Sequence, residues 1–480
     1  MNFVTLSFVL FFLPVLCLGW SIRRFSGLYK WFLIAAGLVF YGCAGPTYLS
    51  LLLGIAVLNW GTAAMMPRIP KKAGRTFFIS LNVILHILIL TYFKYYEFLV
   101  LNLISFADIV GWDFSCLFSD ALADIVLPVG LSFYTFQGLS YSIDHYRNPE
   151  LEPRSFMDVL AYVSFFPTIL SGPILRENDF FPQLQNNRTA DASDFTEGMA
   201  YIISGLFKKV VLASYLSEHL VDGVFTTPQD YTSLATLVGV YAYTIQIFCD
   251  FSGYTDLAIG VARLMGFRLP PNFKSPYKAL DLQEFWHRWH ITLSTWLRDY
   301  LYIPMGGSRR GNRYFNLFMT MLIGGMWHGS GLTFLIWGAL HGMGLAVVHG
   351  FKYVMKLIVG QARVPAIISL PAKGLSWVLT IHFVAFLWIF FRAESWESAV
   401  QVIERICALD TEGNGFTLMI IIAIACGLVI QWIGPALFRV FTGIQARLPW
   451  VLQAVVVALL CGLIMNMGPD GTLPFIYFNF

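Results

Sequence analysis

An all-α, polytopic membrane protein is the fold class this sequence predicts, and three observations predict it. Hydrophobic residues make up 57% of the 480 and charged residues only 12%, far from the balance of a soluble globular chain. Apolar runs close to the roughly 20 residues that cross a bilayer core follow one another with short gaps. The unusual polar residues are clustered at 250–342 rather than spread along the chain.

Taken in order, the first run, 2–20, lacks the basic n-region and small-residue cleavage site of a signal peptide, so it reads as a retained helix. Apolar content then predicts spans at 30–44, 47–66, 76–93, 96–108, 125–145, 156–175 and 197–221. Further spans fall at 232–249, 253–266, 315–328, 331–354, 374–391, 416–440 and 449–467. Several are too short to span, which leaves about 11 crossings plus re-entrant or interfacial helices. No repeat, low-complexity tract or long linker divides the chain, so one membrane domain over 1–480 is expected, with a motif core at about 250–345.

Basic loops orient the spans. Arg23, Arg24 and Lys30 follow the first, and Arg68, Lys71, Lys72 and Arg75 follow the third. An odd number of spans precedes each, so both share a side. The positive-inside rule makes that side cytoplasmic and the N-terminus external. A net charge of only +3, from 31 Lys plus Arg against 28 Asp plus Glu, points to no nucleic-acid partner. Cys17, Cys43, Cys116, Cys249, Cys407, Cys426 and Cys461 show no CxxC or Cys/His pattern, so no metal site is expected. They read as small buried hydrophobes.

The stretch 250–313 is too polar for simple spans and too aromatic for a solvated loop. Asp250 and Asp256 bracket Ser252-Gly253-Tyr254, where backbone could unwind if protein or water satisfied it; the two acids are either functional or caps of helix ends. Residues 281–302 read as one helix, with Trp286, Trp289, Leu293, Trp296 and Leu297 at three- and four-residue spacing and Glu284, Arg288 and Arg298 between them. It belongs at an interface or partly inside the protein. Within it His290, beside Trp289, is either a partly desolvated functional group or a headgroup anchor, and His287 is interfacial. Arg298, Arg309, Arg310 and Arg313 surround a Gly-rich loop that either sets topology or receives an anionic donor.

The second focus is MLIGGMWHGSGLTFLIWGALHGMG at 321–344. His328 ends an apolar run, Gly329-Ser330-Gly331 breaks it, and a second apolar run carries His341. A histidine at that depth is costly without work or a partner. His341 lies four residues from Trp337, on one helix face, and reads as a group hydrogen-bonded within the bundle. His86, His145, His219, His349 and His382 read as structural by the same test.

A buried neutral imidazole can accept a proton near pH 7, which suits His328 to general-base work. Negative charge developing at a reacting centre beside it would need donors, for which Trp327, a backbone N–H at the glycine break, or His290 are candidates. No GxSxG elbow and no cysteine beside the histidines supports a covalent Ser or Cys intermediate on this chain.

These residues carry a resemblance. FFPTILSGPI at 165–174, DFSGYTD at 250–256, PPNFKSPYKA at 270–279, EFWHRWHITLSTWLRDYLYIPMGGSRRG at 284–311, GGMWHGSGLTFLIWGALHG at 324–342, FFRAESW at 390–396 and the terminal FIYFNF occur in this order. Together they resemble the membrane-bound O-acyltransferase (MBOAT) superfamily, within it the bacterial alginate O-acetyltransferase branch. The resemblance implies a ring of tilted helices around a thin centre, with a tunnel from a cytoplasmic acyl donor to an external acceptor. It places the catalytic histidine of the WHG motif on His328 and the second, of the RWH motif, on His290. The expected donor is acetyl-CoA or an acyl-carrier protein, with no tightly bound cofactor. The expected partners are the lipid bilayer of the bacterial inner membrane, an alginate-type polysaccharide acceptor and a separate extracytoplasmic acetyltransferase. Peptidoglycan or cellulose acetylation, D-alanyl transfer to teichoic acid, and a transporter without chemistry are the alternatives. A transporter of this size would often show repeated halves, whereas the motifs here occur once.

Overall fold

The computed structural model of the chain describes residues 2–112, 126–186, 190–359 and 366–468. The terminal FIYFNF motif and Cys116 lie outside them. Among the described residues the regular structure is helical, and eight helical stretches are long and apolar enough to cross a membrane, against the expected 11 or so. They are Tyr48–Arg68, Lys72–Val110, Ala192–Thr226, Ser233–Leu264, Leu332–Ile358, Ser369–Arg392, Leu418–Gln445 and Trp450–Met467, with Leu6–Ile22 a shorter apolar helix. The chain falls into two compact units, residues 1–189 with 265–269, and residues 190–264 with 270–480.

In the first unit, α1 (Leu6–Ile22), α2 (Ser26–Gly42), α3 (Tyr48–Met65), α4 (Lys72–Leu90), α5 (Tyr96–Val110), α6 (Leu131–Arg147), α7 (Phe156–Val163) and α8 (Glu177–Gln185) follow in order. The runs expected separately at 76–93 and 96–108 are one rod, because a π-turn at Thr91–Tyr95 carries α4 into α5 without a loop. The span expected at 156–175 is instead broken into α7 and a single turn at Phe166–Ile169 that opens with Pro167. Polar side chains join helices where lipid offers no partner. Asn59 Oδ1 accepts from Ser142 Oγ at 2.6 Å and from Asn82 Nδ2 at 3.2 Å, and Asn59 Nδ2 lies 3.0 Å from His86 Nε2. His86 is buried and hydrogen-bonded within this helix packing.

The second unit holds α9 (Ala192–Leu206), α10 (Ser233–Leu264), α11 (Leu282–Arg288), α12 (Ile291–Leu297), α13 (Arg313–His328), α14 (Leu332–Val359), α15 (Ala366–Arg392), α16 (Trp396–Cys407), α17 (Leu418–Gln445) and α18 (Trp450–Met467). Two expectations are corrected here. The break expected near Ser252-Gly253 does not occur, because α10 is continuous over 32 residues. Its glycine permits close packing instead: a Cβ on Gly253 would meet Gly205 O at 2.9 Å, and one on Gly260 would meet Gly198 O at 2.7 Å. Small residues at such crossings let membrane helices pack backbone to backbone.

The single helix expected over 281–302 is interrupted at Trp289-His290, then continues as α12 and a π-turn at Arg298–Tyr302. By contrast the glycine break after His328 forms as expected, with Gly329 extended between α13 and α14. A side chain at Gly329 would sit 2.1 Å from the Phe334 ring. The outermost helices α17 and α18 expose Leu418, Leu437, Leu459 and Leu463, the surface that a hydrocarbon solvent rather than water would cover.

Candidate functional site

His290 owes its position to a local backbone exchange. Asp281 starts α11 by accepting from Glu284 N at 2.9 Å, an N-cap that satisfies one of the first-turn donors. The helix stops because His290 adopts φ 41°, ψ 56°, a left-handed conformation that a non-glycine residue rarely takes. The segment 270–279 supplies what the break removes. Asn272 O accepts from Ile291 N at 2.9 Å, Asn272 Oδ1 from Thr292 Oγ1 at 2.6 Å, and Lys274 N donates to Arg288 O at 3.0 Å. Backbone held in such a region persists where surrounding structure over-determines it, and it clusters at functional sites.

The break drives the His290 ring inward. It is fully buried, edge-on to Phe251 at 4.7 Å between ring centroids and 6.0 Å from the Trp327 ring. Burial pushes the His290 imidazole down to about 3, so it is neutral at physiological pH. Trp289 turns the other way, against Phe273 at 5.0 Å and Trp388 at 5.0 Å. Trp289 is thus a packing anchor beside the histidine.

His328, at the last turn of α13, is 4% exposed. Its ring meets Trp327 at 4.9 Å, Trp337 at 5.1 Å and Phe391 at 5.0 Å. The two motif histidines, 38 residues apart in sequence, therefore share Trp327 as a common neighbour. Phe391 belongs to the FFRAESW motif and closes a third side of the ring.

His341 joins the same cluster from α14. It contacts Trp337 at 4.7 Å, and its Nδ1 accepts from Trp286 Nε1 at 3.3 Å. Neither His341 Nε2 nor Trp337 Nε1 has a hydrogen-bond partner among the described residues, and both side chains are at least 99% buried. Buried donors without partners cost about 1–3 kcal/mol each, and such groups in native structures call for a ligand or a role.

Asp250 and Asp256 cap no helix end, which corrects the bland expectation for both. They lie within α10 and pair with adjacent lysines on the π-turn Phe207–Ala213. Lys209 Nζ is 2.5 Å from Asp250 Oδ1, and Lys208 Nζ is 2.5 Å from Asp256 Oδ2, which also accepts from Ser204 Oγ at 2.8 Å. Phe251, next to Asp250, packs edge-on against the His290 ring. Lys208 and Lys209 are residues that the sequence reading missed, and the signal was there: two charges inside the apolar run 197–221 need partners.

The basic residues divide. Arg309 and Arg310 are exposed in a loop that Asn316 Nδ2 pins through Gly307 O at 3.0 Å and Arg310 O at 3.3 Å. Arg298 and Arg313 line a cavity of about 580 Å³ with His287, His349, Trp286 and Met321. Arg313 Nη2 lies 2.8 Å from His349 Nδ1, and Arg298 is bonded to Asp299, which raises the guanidinium above its ordinary value. The cavity thus reaches from the arginines to Trp286, the residue that holds His341. His287 and His349 are cavity-lining groups that periodicity alone did not mark. Among the described residues no group of three or more His, Cys, Asp or Glu could hold a metal.

Residues 81–389 match the family described as MBOAT, membrane-bound O-acyltransferase family. The chain is 38% identical over 422 residues to a probable alginate O-acetylase, AlgI, of Pseudomonas aeruginosa, covering 86% of this chain and 76% of that one. It is 34% identical to a peptidoglycan O-acetyltransferase of Helicobacter pylori, over 85% and 80% of the two chains. A teichoic acid D-alanyltransferase of Bacillus subtilis is 31% identical over 43% of this chain and 55% of its own length. With the family match spanning most of the chain and the aromatic-caged histidines falling inside it, this multi-pass membrane acyltransferase belongs to the membrane-bound O-acyltransferase family.

Proposed function

We propose that the chain moves an acetyl group from a cytoplasmic thioester, acetyl-CoA or an acyl-carrier protein, for O-acetylation of an alginate-type exopolysaccharide outside the cell. The observation that carries this reading is the convergence of His328 and His290 on Trp327. The relatives named for alginate acetylation support the acceptor. Peptidoglycan is the second acceptor, favoured by the Helicobacter relative. No observation favours transport without chemistry, since the relatives are named for acyl transfer.

His328 acts as general base. It accepts the proton of the attacking hydroxyl as the new O–C bond forms. The C–S bond then breaks, and the imidazolium returns the proton to the leaving thiolate. Positioned acid–base catalysis of this kind contributes roughly 100- to 10,000-fold. His290 and Trp327 line the other side of the reacting carbonyl, with the His290, Trp327 or Trp337 N–H as oxyanion donor. Asp250, Asp256 and Trp289 support the site through packing and ion pairs rather than by touching substrate.

The arginine-lined cavity supports entry of the donor at the end of the unit that bears Arg298, Arg309, Arg310 and Arg313. Cations there would meet the donor's phosphates. The basic loops support a cytoplasmic address for that end, in the inner membrane of a bacterium, with the N-terminus outside. A separate extracytoplasmic acetyltransferase receives the acetyl group or completes its transfer to the polymer.

The test replaces His328 with Ala and measures ester-linked acetate on the polymer while confirming that the protein remains in the membrane. Loss of at least 100-fold is expected. Undiminished acetylation would remove His328 from the chemistry.

A further inference from the structure

A second cavity, of about 620 Å³, lies in the same unit but away from the arginine-lined one, bounded by α9, α10 and α17. Its size falls within the range of roughly 300–1,000 Å³ typical of ligand sites. Its walls are largely aromatic and aliphatic, Phe248, Phe273 and Ile430 among them. Against this apolar lining stand polar groups that the described residues do not satisfy. Gln431 is 1% exposed, and neither its Oε1 nor its Nε2 has a hydrogen-bond partner among the described residues. Ser252, also 1% exposed, leaves its Oγ equally without one. A buried amide with both ends unmet is costly unless something enters to meet it.

Two cations complete the lining. Lys208 is held by Asp256, whereas Arg439 is exposed at the rim and folds back along α17 with its Nε on Pro435 O at 3.3 Å. The rim also carries Leu437, 54% exposed on a helix whose outer face is apolar. The mouth therefore faces the hydrocarbon side, and what reaches it comes from the bilayer.

We infer that this cavity takes one anionic glycerophospholipid from the surrounding membrane. Its phosphate meets Arg439, its ester carbonyl accepts from Gln431 Nε2 or Ser252 Oγ, and its acyl chain lies along Phe248, Phe273 and Ile430. A purely apolar tail would leave Gln431 unmet, and a free phosphate would leave the aromatic wall bare. A phosphodiester with a nearby ester carbonyl and a chain satisfies all three features. Phe273 packs on Trp289 at 5.0 Å, so an occupied cavity also buttresses the turn that presents His290.

The full chain, purified and delipidated in mild detergent, would be titrated by native mass spectrometry with phosphatidylglycerol, with the matching diacylglycerol, with inorganic phosphate and with acetyl-CoA. One tightly held phosphatidylglycerol per chain is expected. It should weaken about tenfold in Arg439→Gln and in Gln431→Leu, the latter a change that removes the unmet amide. Gly434→Leu, at a helical glycine of the lining with only Ile430 Cγ2 nearby at 3.4 Å, should fill the space and abolish the bound lipid without strain. Three results would each overturn the inference: equal lipid binding in wild type and all three variants, diacylglycerol or inorganic phosphate binding as tightly as phosphatidylglycerol, or loss of acetyl-CoA binding in these variants with lipid retention unchanged.

Discussion

Trp286 donates its indole N–H to Nδ1 of His341 at 3.3 Å, across the packing between α11 and α14. With Nδ1 accepting, a neutral His341 carries its proton on Nε2, pointing the remaining donor away from Trp286. The pair thus fixes one tautomer beside the Trp337 ring that His328 also contacts. Trp286→Phe keeps an edge-on ring contact with His341 but removes the donor. It should lower thermal stability by about 1–3 kcal/mol and lower acetyl transfer, whereas His341→Gln, which can still accept, should recover part of the stability. Thermal unfolding in detergent, read beside ester-linked acetate, checks both. Equal behaviour of Trp286→Phe and wild type would reduce the pair to packing.

Trp337 offers a separate test of how the oxyanion is held. Its ring lies 5.1 Å from His328, and its Nε1 has no hydrogen-bond partner among the described residues. Trp337→Phe preserves an aromatic wall while deleting that N–H. If the indole donates to the developing oxyanion, the rate of acetyl transfer should fall by roughly 100- to 1,000-fold with little change in apparent donor affinity. A drop in affinity at unchanged rate would assign Trp337 to substrate packing instead.

The buried pair Lys209–Asp250 makes a prediction about folding rather than chemistry. Both side chains are at least 92% buried, at 2.5 Å. Removing one partner of a buried ion pair typically costs about 3–5 kcal/mol. Lys209→Ala or Asp250→Ala should therefore reduce the amount of folded protein recovered from membranes, while Lys209→Met with Asp250→Leu should restore much of it. Recovery measured by size-exclusion in detergent distinguishes these outcomes. The more exposed Lys208–Asp256 pair, 10% and 17% exposed, should tolerate the same changes better.

Much of this arrangement is legible in the sequence. His328 stood out because an imidazole closing an apolar run, followed by Gly329-Ser330-Gly331, has few inert explanations, and the glycine break forms where expected. The break at His290 was not legible, since Trp286, Trp289, Leu293 and Trp296 keep helical spacing straight through it. Periodicity records which side chains face inward, and here they face inward on both sides of a left-handed residue. The partner that makes the break tolerable, Asn272, lies 18 residues upstream in a proline-rich segment and announces nothing locally. The error at Ser252-Gly253 ran the other way. Two acids around a glycine suggested an unwound backbone, but the lysines that neutralise them come from a distant turn, and the glycine serves a close helix crossing.

His290 lastly links backbone, burial and pH. Its ring is buried with its pKa pushed down to about 3, against about 6.5 in an unfolded chain. The sign follows from proton counting. Between those values the unfolded chain binds the proton and the folded chain does not, so stability falls as pH drops from about 6.5 towards 3 and is unaffected by this group above that window. His290→Asn removes the titration yet keeps a residue type that tolerates the left-handed conformation. Thermal unfolding of the two proteins in detergent should therefore give curves that coincide in slope above pH 7, with the wild type losing stability more steeply below pH 6. Over pH 6.5–8 the acetyl-transfer profile should likewise show no step that His290→Asn abolishes, because the ring stays neutral throughout. Parallel acid limbs in wild type and variant would mean that His290 is hydrated enough to titrate like an exposed histidine.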